Sequence, residues 1–272
     1  MSLWGNTLVL TVSTINTHIQ IAKRGTSLKT LTMATIALGL SLTSFSYAQN
    51  VSLTTTNWAP YYGDNLEQGG FISVIVNESF KASGYQSELE FAQWTDAMRQ
   101  VKEGEKDVLV GAFYSDERAQ DYHVSIPIYS VFSGVIKHKN LELDFYSSYE
   151  MLNQYKIGKI EGAVVGQSFD SFPFEKLQGF AGTEDGIQAL QNGQINLFAD
   201  NLSVAKSAAS KLGLEPSDFA MVQPPIEKND LYIMISKKIA NAEKIRDDFN
   251  AGFIKIQTNG TYDAVLKQFN QL

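Results

Sequence analysis

The chain has no cysteine. Disulfides, thiolate metal sites and a cysteine nucleophile are therefore excluded, and so is an N-terminal cysteine that carries lipid. Histidine is nearly as scarce: His18, His123 and His138 are the whole complement and form no metal-ligand cluster. No metal and no other cofactor is expected. Positive charge is also in short supply. Of the 22 lysines and arginines, Lys23, Arg24 and Lys29 precede residue 49, whereas all 29 acids follow it. From residue 49 onward 19 cations thus face 29 acids, a net charge of −10, which disfavours nucleic acid or an anionic membrane as partner. Long apolar runs are missing too. The uncharged stretch 31–45 falls short of the roughly 20 residues that span a bilayer. Catalytic signatures are equally thin: there is no phosphate loop and no Ser/His/Asp set, and Gly166-Gln167-Ser168-Phe169-Asp170 fails the Gly-x-Ser-x-Gly elbow.

What is present begins with an address. The basic patch Lys23, Arg24 and Lys29, the uncharged run 31–45 and the small residues of Ser46-Tyr47-Ala48 form a three-part signal peptide, with cleavage expected after Ala48. The region before Lys23 is longer than such signals usually carry, so residues 1–48 are read as a signal peptide with an upstream extension. The mature protein is expected to be soluble, unlipidated and held in a periplasm. Its 44% hydrophobic content is ordinary for a soluble globular protein.

The mature chain is organised around Asp107-Val108-Leu109-Val110-Gly111-Ala112, an apolar run of the kind buried on both faces of a parallel sheet. Gly111 and Ala112 are small enough for another molecule to approach the backbone closely. Arg118 follows a polar turn just beyond the carboxyl end of this strand, where ligands bind in open α/β sheets. Its rigid fork of donors matches a carboxylate. It can equally be a surface residue balanced by Glu117 or Asp121.

Residues 51–55 read as a first strand, followed by the aromatic loop Asn57-Trp58-Ala59-Pro60-Tyr61-Tyr62-Gly63, a ligand platform or a local packing cluster. Ile72, Ile75, Val76 and Phe80 share a helix face that Gly84 stops. After a strand at 88–91, Trp94, Ala97, Met98 and Val101 repeat at helical spacing up to Gly104. Strand, helix, strand, helix, strand is the signature of βαβ units. Beyond a strand at 131–137, Ser147 can cap a short helix, and a strand at 156–160 leads into the turn Glu161-Gly162-Ala163-Val164. Thr183 is a good N-cap for a helix carrying Ile187 and Leu190 and ended by Gly193. A strand at 195–199 leaves Asp200 at its carboxyl end. Val101-Lys102-Glu103-Gly104 before the first strand rhymes with Leu190-Gln191-Asn192-Gly193 before the second, so one architectural unit is used twice. An Ala-rich helix at 202–212, a strand at 219–222, the connector Pro224-Pro225 and a strand at 231–236 follow. A long amphipathic helix through Ile245, Phe249 and Ile256 stops at Asn259-Gly260, before a terminal helix.

These features resemble the polar-amino-acid branch of the extracellular solute-binding proteins, family three. The resemblance lies in Gly70-Phe71 opening the first helix and in Gly104-Glu105-Lys106-Asp107 before the central strand. Ser115-Asp116-Glu117-Arg118-Ala119 is similar to the family's Thr-x-x-Arg turn, and Ser125-Ile126-Pro127-Ile128-Tyr129 to its Phe-Ser-Asp-Pro-Tyr approach to a hinge. Asn259-Gly260-Thr261-Tyr262 resembles its Asp-Gly-Thr-Tyr signature. The match covers essentially all of the mature chain.

The resemblance implies an α/β, two-lobed periplasmic-binding-protein fold of type II. Each lobe is a mostly parallel sheet flanked by helices, and the ligand sits in the cleft between them. Residues 49–130 and 228–272 would build the first lobe and residues 131–227 the second. It further implies capture of a zwitterionic solute, an amino acid, by a monomer that delivers it to an inner-membrane ABC permease or reports it to a sensor receptor. Arg118 would hold the α-carboxylate with help from the backbone near Gly111 and Phe113, Asp200 would hold the α-ammonium, and Trp58 would cover the side chain. Trp94 can add to the pocket wall. Gly162-Ala163-Val164 replaces the family's Gly-Thr-Thr, so backbone N–H groups at that helix start would serve the carboxylate instead. Val74 and Ile126 replace two usual acids. Trp58, Trp94, Phe113, Tyr114 and Val164 together point to a pocket more apolar than a basic-amino-acid site. Some relatives of the fold are periplasmic dehydratases of prephenate or arogenate, and for such chemistry Glu161 is the one acid available at the second lobe's loop. Asp200 has a second reading as the cap of the helix that starts near Leu202.

Overall fold

The computed structural model describes residues 49–271; the expected signal peptide at 1–48 lies outside the described residues. Strand β1 (Gln49–Thr55) runs through the aromatic loop into α1 (Phe71–Ala82), and β2 (Tyr85–Phe91), α2 (Trp94–Glu103) and β3 (Val108–Phe113) complete the βαβαβ unit. A single turn, α3 (Arg118–Asp121), and the short β4 (Tyr122–Val124) lead to β5 (Tyr129–His138). Then come β6 (Ile157–Ile160), α4 (Gln167–Ser171), β7 (Leu177–Phe180), α5 (Thr183–Gln191), β8 (Leu197–Asp200) and α6 (Leu202–Lys211). The chain returns along β9 (Phe219–Ser236) and ends in α7 (Ala242–Thr258) and α8 (Thr261–Gln268). No helix among the described residues is long and apolar enough to cross a membrane.

One mixed sheet runs β2-β1-β3-β9-β5-β8-β6-β7, with β4 also paired to β9. Its outer strands are parallel, β1 to β2 and β3, and β6 to β7 and β8. The connection between the two parallel sets is antiparallel, through β9 and β5. Tyr129 to Ser133 pair with Leu231 to Glu227, whereas Val135 to His138 pair with Val222 to Phe219. Between Ser133 and Val135 the register jumps, so that Gln223-Pro224-Pro225-Ile226 on β9 leave the β5 ladder, with Gln223 bridging Phe145 instead. The sheet therefore has a first half on the β1–β3 side and a second half on the β6–β8 side, joined only through β5 and β9.

The strands at 219–222 and 231–236 prove to be one continuous strand. Pro224 and Pro225, expected as a connector, sit where the ladder is already broken, so their missing N–H groups forfeit no hydrogen bond. Ser147 does not cap a helix. Its hydroxyl lies on the Met151 sulfur, and the turn at Tyr149–Leu152 has Ser148 at its N-cap position without a side-chain bond. Thr183 is the first residue of α5 and not its cap, which is Gly182. Strand β7 had no apolar signal because it is an edge strand, exposed along nearly its whole length.

Three apolar clusters hold the layers together. Leu53, Phe71, Ile75, Phe80, Phe249 and Phe253 join α1, α7 and α8 to one face of the first half. On its other face Trp94, Ala97 and Leu109 continue directly into Ile160, Ile187 and Phe198 of the second half. The third cluster, with Leu152, Phe169 and Leu197, belongs to the second half alone.

Helix α7 docks on α1 by close backbone approach at Gly252. A Cβ there would stand 2.0 Å from the Ser79 carbonyl oxygen, and backbone cannot move aside as a side-chain tip can. Nearby, Tyr85 donates at 2.6 Å to Asp248. Gly252→Ala is expected to destabilise the fold by about 1–3 kcal/mol through overpacking, lowering the melting temperature by roughly 2–4 °C per kcal/mol for a chain of this size. Thermal unfolding without ligand measures it; an unchanged midpoint would contradict the helix docking described.

Candidate functional site

Strand β3 delivers the first wall of the site. At Gly111 its register against β9 slips by one residue, and the backbone takes φ +76°, a conformation that a side chain would strain. A Cβ at Gly111 would also meet the Tyr62 ring at 2.5 Å. The close approach lets the Tyr62 hydroxyl donate to the Gly111 carbonyl at 3.1 Å. Past Phe113 the chain turns, and Arg118 opens α3 with only 8% of its surface exposed. Its Nη1 donates to the Phe113 carbonyl at 2.7 Å. Nη2 reaches the Gly162 carbonyl at 3.1 Å and the Met98 sulfur at 3.6 Å. The guanidinium stacks over Trp94, 5.3 Å from the ring centroid. Asp121, one of its proposed balancing acids, pairs with Lys102 instead. Among the described residues Arg118 makes no salt bridge. Burial lowers its pKa to about 10, so the group stays cationic at neutral pH.

The second wall comes from β8, whose last residue is Asp200, also 8% exposed. One carboxylate oxygen accepts from Trp58 Nε1 at 3.1 Å and from the Asn201 N–H at 2.7 Å. The other accepts from the Thr183 hydroxyl at 2.6 Å. Asn201, not Asp200, caps α6: its side chain accepts from the N–H groups of Ser203 and Val204. The reading of Asp200 as a cap is thereby corrected. Asn201 also binds the Phe132 carbonyl through Nδ2 and meets the Tyr61 hydroxyl at 3.4 Å.

The walls meet in a cavity of about 50 Å³. Of the residues singled out from the sequence, Trp58, Trp94, Gly111, Phe113, Arg118, Ala163, Val164 and Asp200 all line it. Gly162 touches it indirectly, through its bond to Arg118. Glu161 is placed elsewhere. It is exposed, packs beside Gly179 and lines none of the cavities found in the cleft. The helix start after β6 differs from expectation as well. The N–H groups of Val165 and Gly166 are taken by Asp170, and that of Gln167 by Glu227. Of that turn, the Gly162 and Val164 N–H groups are left without a protein acceptor among the described residues. Trp58 belongs to a packing cluster, stacked on Tyr61 at 4.8 Å, and it also lines the cavity.

Thr56, Tyr62, Ser133, Ile160, Val165 and Ala199 complete the lining and went unnamed as site residues. Tyr62 had a signal, since it belongs to the aromatic loop. Ser133 had a weaker one, as a polar residue interrupting the apolar strand 131–136. On either side the cleft opens into larger spaces of about 440 and 520 Å³.

A sequence profile of the bacterial extracellular solute-binding proteins, family 3, matches residues 51–271. No curated protein matches in sequence. Among solved structures, a histidine kinase sensor domain with similarity to periplasmic binding proteins superposes with a TM-score of 0.72 at 15% identity, over 82% of this chain and 96% of that one. The arginine-, lysine-, histidine-binding protein ArtJ of Geobacillus stearothermophilus gives 0.68 at 18% identity, over 81% and 95%. The GluR0 ligand-binding core of Nostoc punctiforme, in complex with L-glutamate, gives 0.68 at 16% identity, over 82% and 100%. At these identities the likeness establishes the fold, the two-lobed type II arrangement of periplasmic binding proteins.

Burial pushes the Asp200 carboxyl up to about 6 from its ordinary 3.8, against the lowering effect of its three donors. Between those pH values the folded protein holds a proton that the unfolded chain has lost, so this group's contribution to stability falls as pH rises from about 4 to 6. Asp200→Asn keeps one oxygen for Trp58 and Asn201 and lets the Thr183 hydroxyl accept from the amide. Relative to the parent, that variant should gain on the order of 2–3 kcal/mol of stability between pH 4 and 7. Urea unfolding of both proteins across that range tests this; parallel curves would show that Asp200 does not titrate as stated.

Proposed function

The chain belongs to family 3 of the bacterial extracellular solute-binding proteins, and on that premise we propose that it is a periplasmic receptor for a free amino acid. It closes two lobes on this ligand and delivers it to an ABC-type permease, acting as a monomer after removal of the signal peptide at Ala48. One observation carries the reading. Arg118 and Asp200 are buried charges of opposite sign that line one cavity, and neither has an ionic partner among the described residues. An α-amino acid brings the complementary pair. Arg118 keeps its Nε–H and one Nη1 hydrogen without a protein acceptor, and the Val164 N–H can assist it at the carboxylate. Asp200 takes the ammonium. Side-chain contact falls to Trp58, Trp94 and Phe113.

The lobes correspond to residues 49–130 with 228–272 and to residues 131–227. The hinge is formed by 129–134 and 224–230, the segments that flank the register jump. Arg118 to Gly162, Trp58 to Asp200 and Tyr61 to Asn201 bond one side of the cleft to the other, and such contacts form only on closure. Ligand that binds both walls therefore favours the closed state by differential affinity.

The histidine kinase sensor domain among the structural neighbours supports a second reading, in which the closed protein reports to a membrane receptor. The dehydratase reading lacks its proton donor, because Glu161 lies outside the cavity.

Removing one partner of a buried charge pair costs on the order of 2–5 kcal/mol of binding. Arg118→Ala and Asp200→Ala are therefore expected to fold but to lose amino-acid affinity at least thirtyfold by calorimetry. Arg118→Lys should be impaired as well, since an ammonium cannot reproduce the planar fork. Unchanged affinity in folded Asp200→Ala would remove the main support for an amino-acid ligand. Small-angle scattering should show the radius of gyration shrinking on ligand addition; equal radii in the two states would argue against lobe closure.

A further inference from the structure

Two buried donors of residues that line the cavity have no acceptor among the described residues. Ser133, on β5 beside the register jump, is 2% exposed and lines the cavity. Its Oγ accepts from Asn229 Nδ2 at 2.9 Å, and the same amide nitrogen donates to the Val165 carbonyl at 2.8 Å. Both amide hydrogens are thereby spent, and the serine oxygen is fixed as the acceptor of one of them. The hydroxyl's own hydrogen meets no acceptor among the described residues. Trp94 also lines the cavity, and its buried Nε1–H has no partner. Donors buried without an acceptor are costly to leave so. Neither is needed to hold a carboxylate at Arg118 or an ammonium at Asp200.

The rest of the lining narrows what could meet these donors. Arg118 and Asp200 are its only charged members. Within this cavity a cationic side chain would find no second acid, and an anionic one no second cation. A purely aliphatic side chain would leave both donors unmet. We propose that the ligand is a neutral amino acid whose side chain carries an oxygen acceptor, a hydroxyl or a carboxamide. The Ser133 hydroxyl reads that oxygen, assisted by the Trp94 indole N–H. Asn229 is the positioning residue, since it fixes the serine oxygen and ties it to the second-half loop at Val165. This inference rests on the amino-acid reading above.

The test is calorimetry on the mature chain with L-serine, L-threonine, L-asparagine and L-glutamine, their apolar counterparts L-alanine, L-valine and L-leucine, and L-arginine. The best-bound polar amino acid is expected to exceed its apolar counterpart by at least about tenfold. In Ser133→Ala that ratio should fall at least about fivefold. Trp94→Phe removes the N–H together with part of the indole's volume, keeps a ring beneath Arg118, and should lower the same ratio; it carries the test if Ser133→Ala unfolds. Tightest binding of an aliphatic amino acid or of arginine overturns this inference and leaves the amino-acid reading standing. So does a ratio unchanged in both folded variants. Binding of no amino acid at all overturns both.

Discussion

Two buried charges that have no counter-ion among the described residues are the constraint around which the cleft is built. An ion taken out of water must be compensated locally, or it destabilises the fold by several kcal/mol. Here the compensation is neutral. Arg118 is held by two carbonyl oxygens, a thioether and an indole face. Asp200 is held by an indole N–H, a backbone N–H and a hydroxyl. These groups come from both halves of the sheet, so the two halves hold the buried charges jointly. Neutral partners also leave the ionic attraction of each group unspent.

The surrounding elements divide the polar work so that this remains true. Asn201 satisfies the start of α6, which frees Asp200 from capping. Asp170 and Glu227 occupy the backbone donors ahead of α4, which would otherwise form a second anion site within the same loop. Arg118 is left as the one cationic side chain in the cavity lining. The β3 bulge at Gly111 lets Tyr62 lie against the strand, where its hydroxyl occupies the Gly111 carbonyl.

Much of this was legible in the sequence wherever a local pattern encodes it. The apolar run through Leu109 and Val110 reads as a buried strand because both of its faces are covered. The stopping glycines 104 and 193 mark equivalent helix ends because left-handed backbone favours glycine. Arg118 and Asp200 were found from their positions after the two corresponding strands. What escaped was decided at long range. Trp58 and Asp200 are 142 residues apart, and no spacing announces their bond. Thr183 carries a sound capping signal, yet its hydroxyl is drawn to Asp200 because a buried carboxylate is the stronger acceptor. Glu161 stands one residue too early: the strand ends at Ile160 and sends the acid outward beside Gly179. Strand β7 was invisible for a simpler reason, since an exposed edge needs no apolar side chains.

The crossing of β5 and β9 has a consequence for how such proteins diversify. Val135 and Val222 are direct partners in the ladder, so the segment between them departs and returns through neighbouring strands about 4.8 Å apart. Both ends of the described chain belong to the other half. A recombination event with breakpoints at these two positions would replace one wall of the cleft whole and leave its opposite untouched. Arg118 would be inherited while the face carrying Asp200, Ala163 and Val164 is exchanged. New ligand specificities can thus arise by splicing a module, without rebuilding the receptor residue by residue.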